Sequence, residues 1–250
     1  MKPDALTIAG SDPTGGAGIQ SDLRTFNRLG VRGYSVVTAL TAQNSKGVFH
    51  VQPAGRESVR AQLHTLFEDT IPSAVKVGML CNGETVREVC DQLSRLPGNI
   101  PIVLDPVVLS SSGFPLLDRE GVEILLRDLI PRVTVLTPNI PEARFLLRLD
   151  GKIGDRELAR LAAELGARYT LLKGGHGGGD FSVDYLLGEG RGKAFSSPRR
   201  KGVDLHGSGC RLSSAIAASL ALGDDVETAV TKAKAHMNKI FKRSRLLGEL

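Results

Sequence analysis

At 250 residues, 41% of them hydrophobic, the chain can fill one large α/β core and needs no disulfide staples. Its formal charge of +5 raises nucleic acid as a partner, but the basic residues are dispersed apart from Arg199-Arg200-Lys201 and a tail around Lys239 to Arg245, and aromatics are only 4% with no Trp. Base stacking is poorly served, and attraction of small anions remains.

Short β-like runs alternate with amphipathic stretches from end to end. A strand is expected at Ala5–Ala9 and a helix at Gly16–Leu29, then a strand at Tyr34–Ala42 and a helix at Glu57–Asp69. The pattern repeats at Val75–Met79 with Gly83–Arg95, and at Ile102–Asp105 with Arg119–Leu129. In the latter helix Val122, Leu125, Leu126 and Leu129 recur at three- and four-residue steps. Further on come a strand at Val133–Leu136, helices at Glu142–Leu147 and Asp155–Leu165, and a strand at Thr170–Lys173. Gly-Glu-Gly-Arg-Gly between Ser182–Leu187 and Lys193–Ser196 is a hairpin signal, and helices at Gly209–Leu222 and Val226–Ser244 close the chain.

No linker, repeat or low-complexity stretch interrupts this alternation, which predicts a single domain over residues 1–250. The expected fold is α/β, a mostly parallel central sheet with helices on both faces. In such sheets ligands sit beyond the carboxyl ends of the strands. Polar and Gly-rich clusters fall after Ala9, Ala42 and Met79, at Asp105 and Thr137, and after Lys173, where that rule wants them. Cys81, Cys90 and Cys210 lack CxxC spacing and the five histidines lack an HExxH pattern, so neither a disulfide framework nor a zinc site is expected. No apolar run is long enough to span a bilayer, and Met1–Gly10 lacks a basic-then-apolar leader. The reading is a cytoplasmic enzyme with no membrane and no nucleic-acid partner.

Two segments carry chemistry. AGSDPTGGAGIQSDLRTF, residues 9–26, reads as strand, Pro/Gly turn and helix start, where free N–H groups can face an anion. It is neither a GxxxxGK[ST] loop nor a GxGxxG fingerprint. Asp204-Leu205-His206-Gly207-Ser208-Gly209-Cys210 runs into a helix that is apolar or small on nearly every face and is expected to be buried. Its N-terminus offers orphan donors and the positive end of a helix dipole, which favours thiolate over thiol at Cys210.

Together these segments resemble the hydroxymethylpyrimidine/phosphomethylpyrimidine kinases of thiamine biosynthesis, within the ribokinase-like superfamily. The resemblance runs in order through AGSDPTGGAGIQSDL, TALTAQNS (38–45), KVGML (76–80), IVLDPVV (102–108), LTPNIPEA (136–143), LLKGGH (171–176) and HGSGCRLSSAIAA (206–218). Most ribokinase-like enzymes have Asp where this chain has Cys210, and the Cys points to the pyrimidine branch.

The resemblance implies a ribokinase-like three-layer sandwich and ATP-dependent phosphorylation of the hydroxymethylpyrimidine to its mono- and then diphosphate, with Mg²⁺. Gly10, Gln43 and Met79 would form the pyrimidine pocket. Gln43 has the donor and acceptor to pair with an aminopyrimidine edge, and Met79 can cover the ring. Asp105 and Glu142 would serve Mg²⁺, with Asn139 beside them at the nucleotide phosphates. Lys173 would reach ATP phosphates, and Gly207, Ser208 and Gly209 would cradle the γ-phosphate. Cys210 would take or help orient the proton of the substrate hydroxyl, while Asp22 and Lys234 would serve the second transfer. Taken singly, each of these residues also fits an ordinary cap, core or surface role. The chain departs from the family pattern at Leu205 and Ser208, both usually Thr, and at Arg211, commonly Thr. The rival readings are a pyridoxal or pyridoxine kinase on the same fold and an inactive pyrimidine-binding regulatory protein. Apolar helix positions leave room for a homodimer.

Overall fold

The computed structural model describes residues 3–44, 47–109, 115–151, 153–174, 181–198 and 207–247, with side chains followed to residue 242. β1 (Asp4–Ser11) is buried over all but its last residue, as a strand covered on both faces must be. α1 (Gly18–Arg28) follows, then β2 (Arg32–Asn44), β3 (Gly47–Pro53), α2 (Arg56–Asp69), β4 (Ala74–Val77), α3 (Gly83–Leu93) and β5 (Ile102–Leu104). α4 (Arg119–Ile124) continues through a π turn (Leu125–Leu129) and a 3-10 turn (Ile130–Arg132) to β6 (Val135–Leu136). The rest is α5 (Ile140–Leu146), α6 (Asp155–Ala163), β7 (Tyr169–Leu172), the hairpin β8 (Phe181–Gly188) and β9 (Arg191–Pro198), α7 (Ser208–Ala221) and α8 (Val226–Leu247).

The described strands form one sheet of order β3-β2-β1-β4-β5-β6-β7-β8-β9. Pairing is parallel from β2 to β7 and antiparallel at both margins. Alternate strand residues feed two cores. Leu6, Ile8, Val75, Val77 and Leu104 meet α2, α3 and α4 through Val59, Leu63, Val86, Val89 and Leu125. Ala5, Val103, Val135 and Leu171 meet α1, α7 and α8 through Phe26, Ile216, Val230 and Met237. This is the three-layer arrangement the sequence predicts. Beyond β1 the chain turns first toward β2 and β3, then returns to place β4 on the other side. The strand order therefore reverses between β1 and β4, and a crevice opens beyond their carboxyl ends.

Four elements differ from expectation. β3 was not foreseen: GVFHVQP lies on the outer margin with Phe49 and His50 exposed, so it lacks the apolar run of a central strand. The expected helix Arg119–Leu129 changes to π geometry at Leu125. The helix expected from Glu142 starts earlier, at Ile140, because Asn139 caps it by accepting from the Glu142 amide at 2.8 Å. The expected helix end at Ser244 falls inside α8, which runs on to Leu247. The basic cluster at Arg199-Arg200-Lys201 lies outside the described residues.

On the α2–α3 layer, fully buried Glu88 accepts from Arg56 Nε, Arg60 Nε and Nη2, and Gln92 Nε2, all at 2.8–2.9 Å. The Arg60 hydrogen bond above all holds its carboxyl at about 2, against an ordinary 4.5. A depressed carboxylate contributes stability that is present above the unfolded value and lost as pH falls through the folded one. Glu88→Gln is therefore expected to cost about 1–2 kcal/mol at pH 7, the arginines being half exposed. In denaturant titrations the gap to wild type should close between pH 4.5 and 2. A gap that holds constant over that range would remove the charge from the account.

Candidate active site

The β1–α1 turn is built around Asp12. Its buried carboxylate accepts from the amides of Thr14 and Ala17, each at 2.8 Å, and from the Thr14 hydroxyl. Burial alone would raise this group, but Ala17, Thr14 and the Gln43 side chain together hold it at about 2. Gln43 thus reaches from the end of β2 onto the first turn. Gln20 completes the turn, accepting from the Asp12 amide at 2.9 Å and donating to Ser11 Oγ at 2.7 Å. Across the crevice, Thr38 donates to the Met79 carbonyl at 2.6 Å, and a Cβ on Gly10 would stand 3.3 Å from Met79 Sδ. Gly10, Gln43 and Met79 therefore line the same mouth, at the reversal between β1 and β4.

Two helices begin at this mouth. Gly18, the first residue of α1, has φ +59°, and a Cβ there would lie 2.4 Å from the Gly10 carbonyl. Gly207, the N-cap of α7, has φ +76°, and a Cβ would lie 2.1 Å from the Gly16 carbonyl. Only glycine allows either approach. Neither cap residue, Ala17 or Gly207, caps its helix with a side chain. At the α1 start the Ala17 amide goes to Asp12 and the Gly18 amide to Cys210, while the α7 start points its amide dipoles at the mouth. Ser208, Gly209 and Cys210 form the first turn of α7, all half-buried.

The rest of the site comes from β5, β6 and β7. Lys173 Nζ lies 2.9 Å from Asp105 Oδ1, and a Cβ on Gly209 would be 3.2 Å from that ammonium and 3.4 Å from Asp105 Oδ2. The Lys173 amide donates to the Pro138 carbonyl at 2.9 Å, next to Asn139. Glu142 returns the cap, accepting from the Asn139 amide at 2.9 Å. It also takes the backbone N–H of Val107, a β-branched residue at φ +42°. Burial and neighbouring Asp105 push Glu142 up to about 7 against the pull of Lys173. Lys173 itself is raised: burial would lower it, but the two carboxylates outweigh that.

Cys210 corrects an expectation. The helix start favours thiolate, yet the thiol is pushed up to about 11. Burial is the first cause, and Asp105 and Asp22 add to it, outweighing Lys76 and the hydrogen bond from the Gly18 amide. At neutral pH Cys210 is a thiol.

The two remaining candidates lie behind the mouth. Asp22 is fully buried, accepting from Thr7 Oγ1 at 2.6 Å, Lys76 Nζ at 2.8 Å and Ser214 Oγ at 2.6 Å. Lys234 pairs with Asp184 at 2.6 Å, and Asp184 holds the Gly174 amide at 2.9 Å, just past Lys173. Arg211 turns outward toward α1, near Ser21 Oγ and the Gly16 carbonyl. Leu205 and His206, like Gly175-His176, fall outside the described residues. Sequence reasoning assigned nothing to Asp12, Lys76 or Asp184. Lys76 alone carried a signal, a lysine within the otherwise apolar strand Ala74–Val77.

Among the described residues no group of three or more His, Cys, Asp or Glu side chains forms a metal cage. The donors fit Mg²⁺ in another manner, through one or two carboxylates with water and substrate phosphates completing the shell. Asp105 and Glu142 are the neighbouring carboxylates that could serve in this way, and a divalent cation there would favour the ionised form of the raised Glu142.

A sequence model of the phosphomethylpyrimidine kinase family matches residues 12–249. Hydroxymethylpyrimidine/phosphomethylpyrimidine kinase of Haemophilus influenzae is 41% identical, over 98% of this chain and 93% of its own length. The crystal structure of phosphomethylpyrimidine kinase from Clostridium difficile superposes with a TM-score of 0.83 at 40% identity, covering 96% of this chain and all of that one. Pyridoxal kinase of Staphylococcus aureus, in complex with AMP-PCP and pyridoxal, superposes at 0.84 with 31% identity, over 95% of this chain and 87% of that one. With a ribokinase-like sheet and a match that runs through nearly its whole length, the chain belongs to the phosphomethylpyrimidine kinase family.

Proposed function

We infer that the protein is an ATP-dependent kinase that phosphorylates 4-amino-5-hydroxymethyl-2-methylpyrimidine to its monophosphate and then to the diphosphate, in thiamine biosynthesis. The observation that carries this reading is the convergence of two uncapped helix starts on Cys210, beside Lys173, in a chain of this family.

The pyrimidine lies in the mouth formed by Gly10, Gln43 and Met79, with its hydroxymethyl group toward Cys210. The γ-phosphoryl of ATP sits on the amides of Gly207, Ser208 and Gly209, with Lys173 and Asn139 on its far side. The substrate oxygen bonds to Pγ as the bond from Pγ to the β–γ bridging oxygen breaks, ADP leaves with that oxygen, and the hydroxyl proton passes to an oxygen of the transferring phosphoryl group. Asp105 and Glu142 would hold Mg²⁺, which would supply neutralisation of the phosphate charge. Such transfers ask mainly for position and anion stabilisation, since the transition state is loose. A thiol at Cys210 has its own proton and so orients the hydroxyl instead of stripping it. In the second transfer Lys234 stands toward the added phosphate charge, while Asp22 acts from behind the cradle.

Several coarser features round off the reading. One sheet running through the described strands supports a single domain over 1–250. Three unbridged cysteines suit the reducing cytoplasm. Phe49 and Leu40, 69% and 58% exposed along the β2–β3 margin, suit a homodimer, which a monomer by light scattering would rule out.

ADP release with hydroxymethylpyrimidine, pyridoxal and ribose offered separately tests the function. The pyrimidine should turn over fastest and ribose not at all. Faster turnover of pyridoxal would favour the second reading, which the pyridoxal kinase likeness supports. Fed the purified monophosphate, wild type should make diphosphate, and Lys234→Ala should lose that step more than the first.

Cys210→Ala should fold, bind ATP and lose about 10²-fold in turnover, the scale of a misplaced reactant. Wild-type turnover would leave the amide cradle and Lys173 as the catalysts. Gln43→Ala should weaken pyrimidine binding by about 1–3 kcal/mol and leave ATP binding unchanged. Calorimetry showing equal losses for both ligands would assign Gln43 to the Asp12 turn alone.

A further inference from the structure

Asp22 and Lys76 are the one ion pair among the described residues in which both side chains are wholly sealed from solvent, at 0% and 0% exposure. Burying two charges costs several kcal/mol per ion, and an apolar pair of the same volume is often no less stable. Stability alone therefore does not account for the pair.

Its connections do. The three donors to Asp22 come from three elements, Thr7 on β1, Lys76 on β4 and Ser214 on α7, while Asp22 itself is on α1. These are the two strands at the order reversal and the two helices that start there. Ser214 lies one turn after Cys210 on the same helix, and its hydroxyl is buried against Asp22 Oδ1 at 2.6 Å. Lys76 Nζ lies behind Gly78, where an added Cβ would stand only 2.7 Å away, and Gly78 leads into Met79. Neither helix start has a cap of its own to set its position.

We propose that Lys76 and Ser214, acting through Asp22, are positioning residues for phosphoryl transfer: the pair ties α7, one turn past Cys210, to β1 and β4 at Thr7 and Lys76. Lys76 Nζ donates to Asp22 at 2.8 Å, and the same carboxylate holds the Thr7 and Ser214 hydroxyls at 2.6 Å each. The amides of α1 and α7 and the Cys210 sulfur are thereby kept aimed at one point. The Lys76 ammonium also opposes the rise of the Cys210 thiol. Asp22 bears on catalysis without touching substrate.

The inference rests on the kinase reading, and two variants test it with wild type as control. Ser214→Ala keeps the ion pair and cuts its link to α7. It should lower kcat for hydroxymethylpyrimidine about 10- to 100-fold. KM for both substrates should stay within about twofold and the melting temperature within a few degrees, since one hydroxyl adds little to global stability. The second variant removes both charges. Lys76→Met alone leaves a buried carboxylate unpaired and should melt about 6–20 °C lower. Adding Asp22→Asn should recover most of that loss while kcat stays low. Wild-type kcat in Ser214→Ala, a loss confined to KM, or recovery of kcat together with melting temperature in the double variant would each overturn the proposal. If the double variant does not fold, Ser214→Ala decides alone. A wild type that makes no phosphorylated pyrimidine would sink the kinase reading, and this inference with it.

Discussion

Backbone meets backbone where the Gly16–Gly18 turn packs against Gly207, and the whole site hangs on that approach. The Gly16 carbonyl occupies the place where a Cβ on Gly207 would be, at 2.1 Å, while within the first turn the Gly10 carbonyl closes on Gly18 at 2.4 Å. Side chains cannot separate the two helix starts, so their dipoles point into a common space. A strong positive field arises there from peptide dipoles alone. This explains how the chain can dispense with a lysine in a phosphate loop: the cation, Lys173, arrives instead from the end of β7, already paired with Asp105.

The ionisable groups of the site are pulled in opposite directions for one reason, the supply of donors. Asp12 has Ala17, Thr14 and Gln43 turned toward it and sits at about 2 despite burial. Glu142 has two backbone donors but shares Lys173 with Asp105, and rises to about 7. Cys210 has one amide donor and two carboxylates nearby, and rises to about 11. A centre with spare carboxylate and buried ammonium is suited to ligands that bring both phosphate and a cation, because each then meets its complement.

Much of this was legible from residue order. The buried strands read as apolar runs, and Thr-Pro-Asn followed by Glu142 read as a helix start, because caps are local chemistry within four residues. What stayed hidden depends on distance along the chain. Lys76 and Asp22 are 54 residues apart, and nothing local says that the lysine inside Ala74–Val77 has a carboxylate waiting for it. The direction of the Cys210 shift was misjudged on the same ground. The helix start is visible beside the cysteine, whereas the opposing carboxylates arrive from positions 22 and 105. β3 escaped for a different reason, since a marginal strand with one exposed face carries little apolar pattern.

Those hidden contacts also explain how one mouth can serve two acceptors that differ by a phosphate. In the proposed reading the groups facing the mouth, the amides and Lys173, would recognise any phosphoryl oxygen and would not distinguish the two. Discrimination and tolerance must therefore come from charge placed further back. Lys234 stands there, tied by Asp184 to the Gly174 amide at the end of β7, and Lys76 stands there tied by Asp22 to α7. Both ammoniums are held by a carboxylate that also binds a second element, Gly174 for Asp184 and Ser214 for Asp22, so neither is free to collapse onto the first phosphate it meets. Held cations of this kind offset added anionic charge without neutralising the cradle, a condition that a site handling an alcohol and then its phosphate has to satisfy.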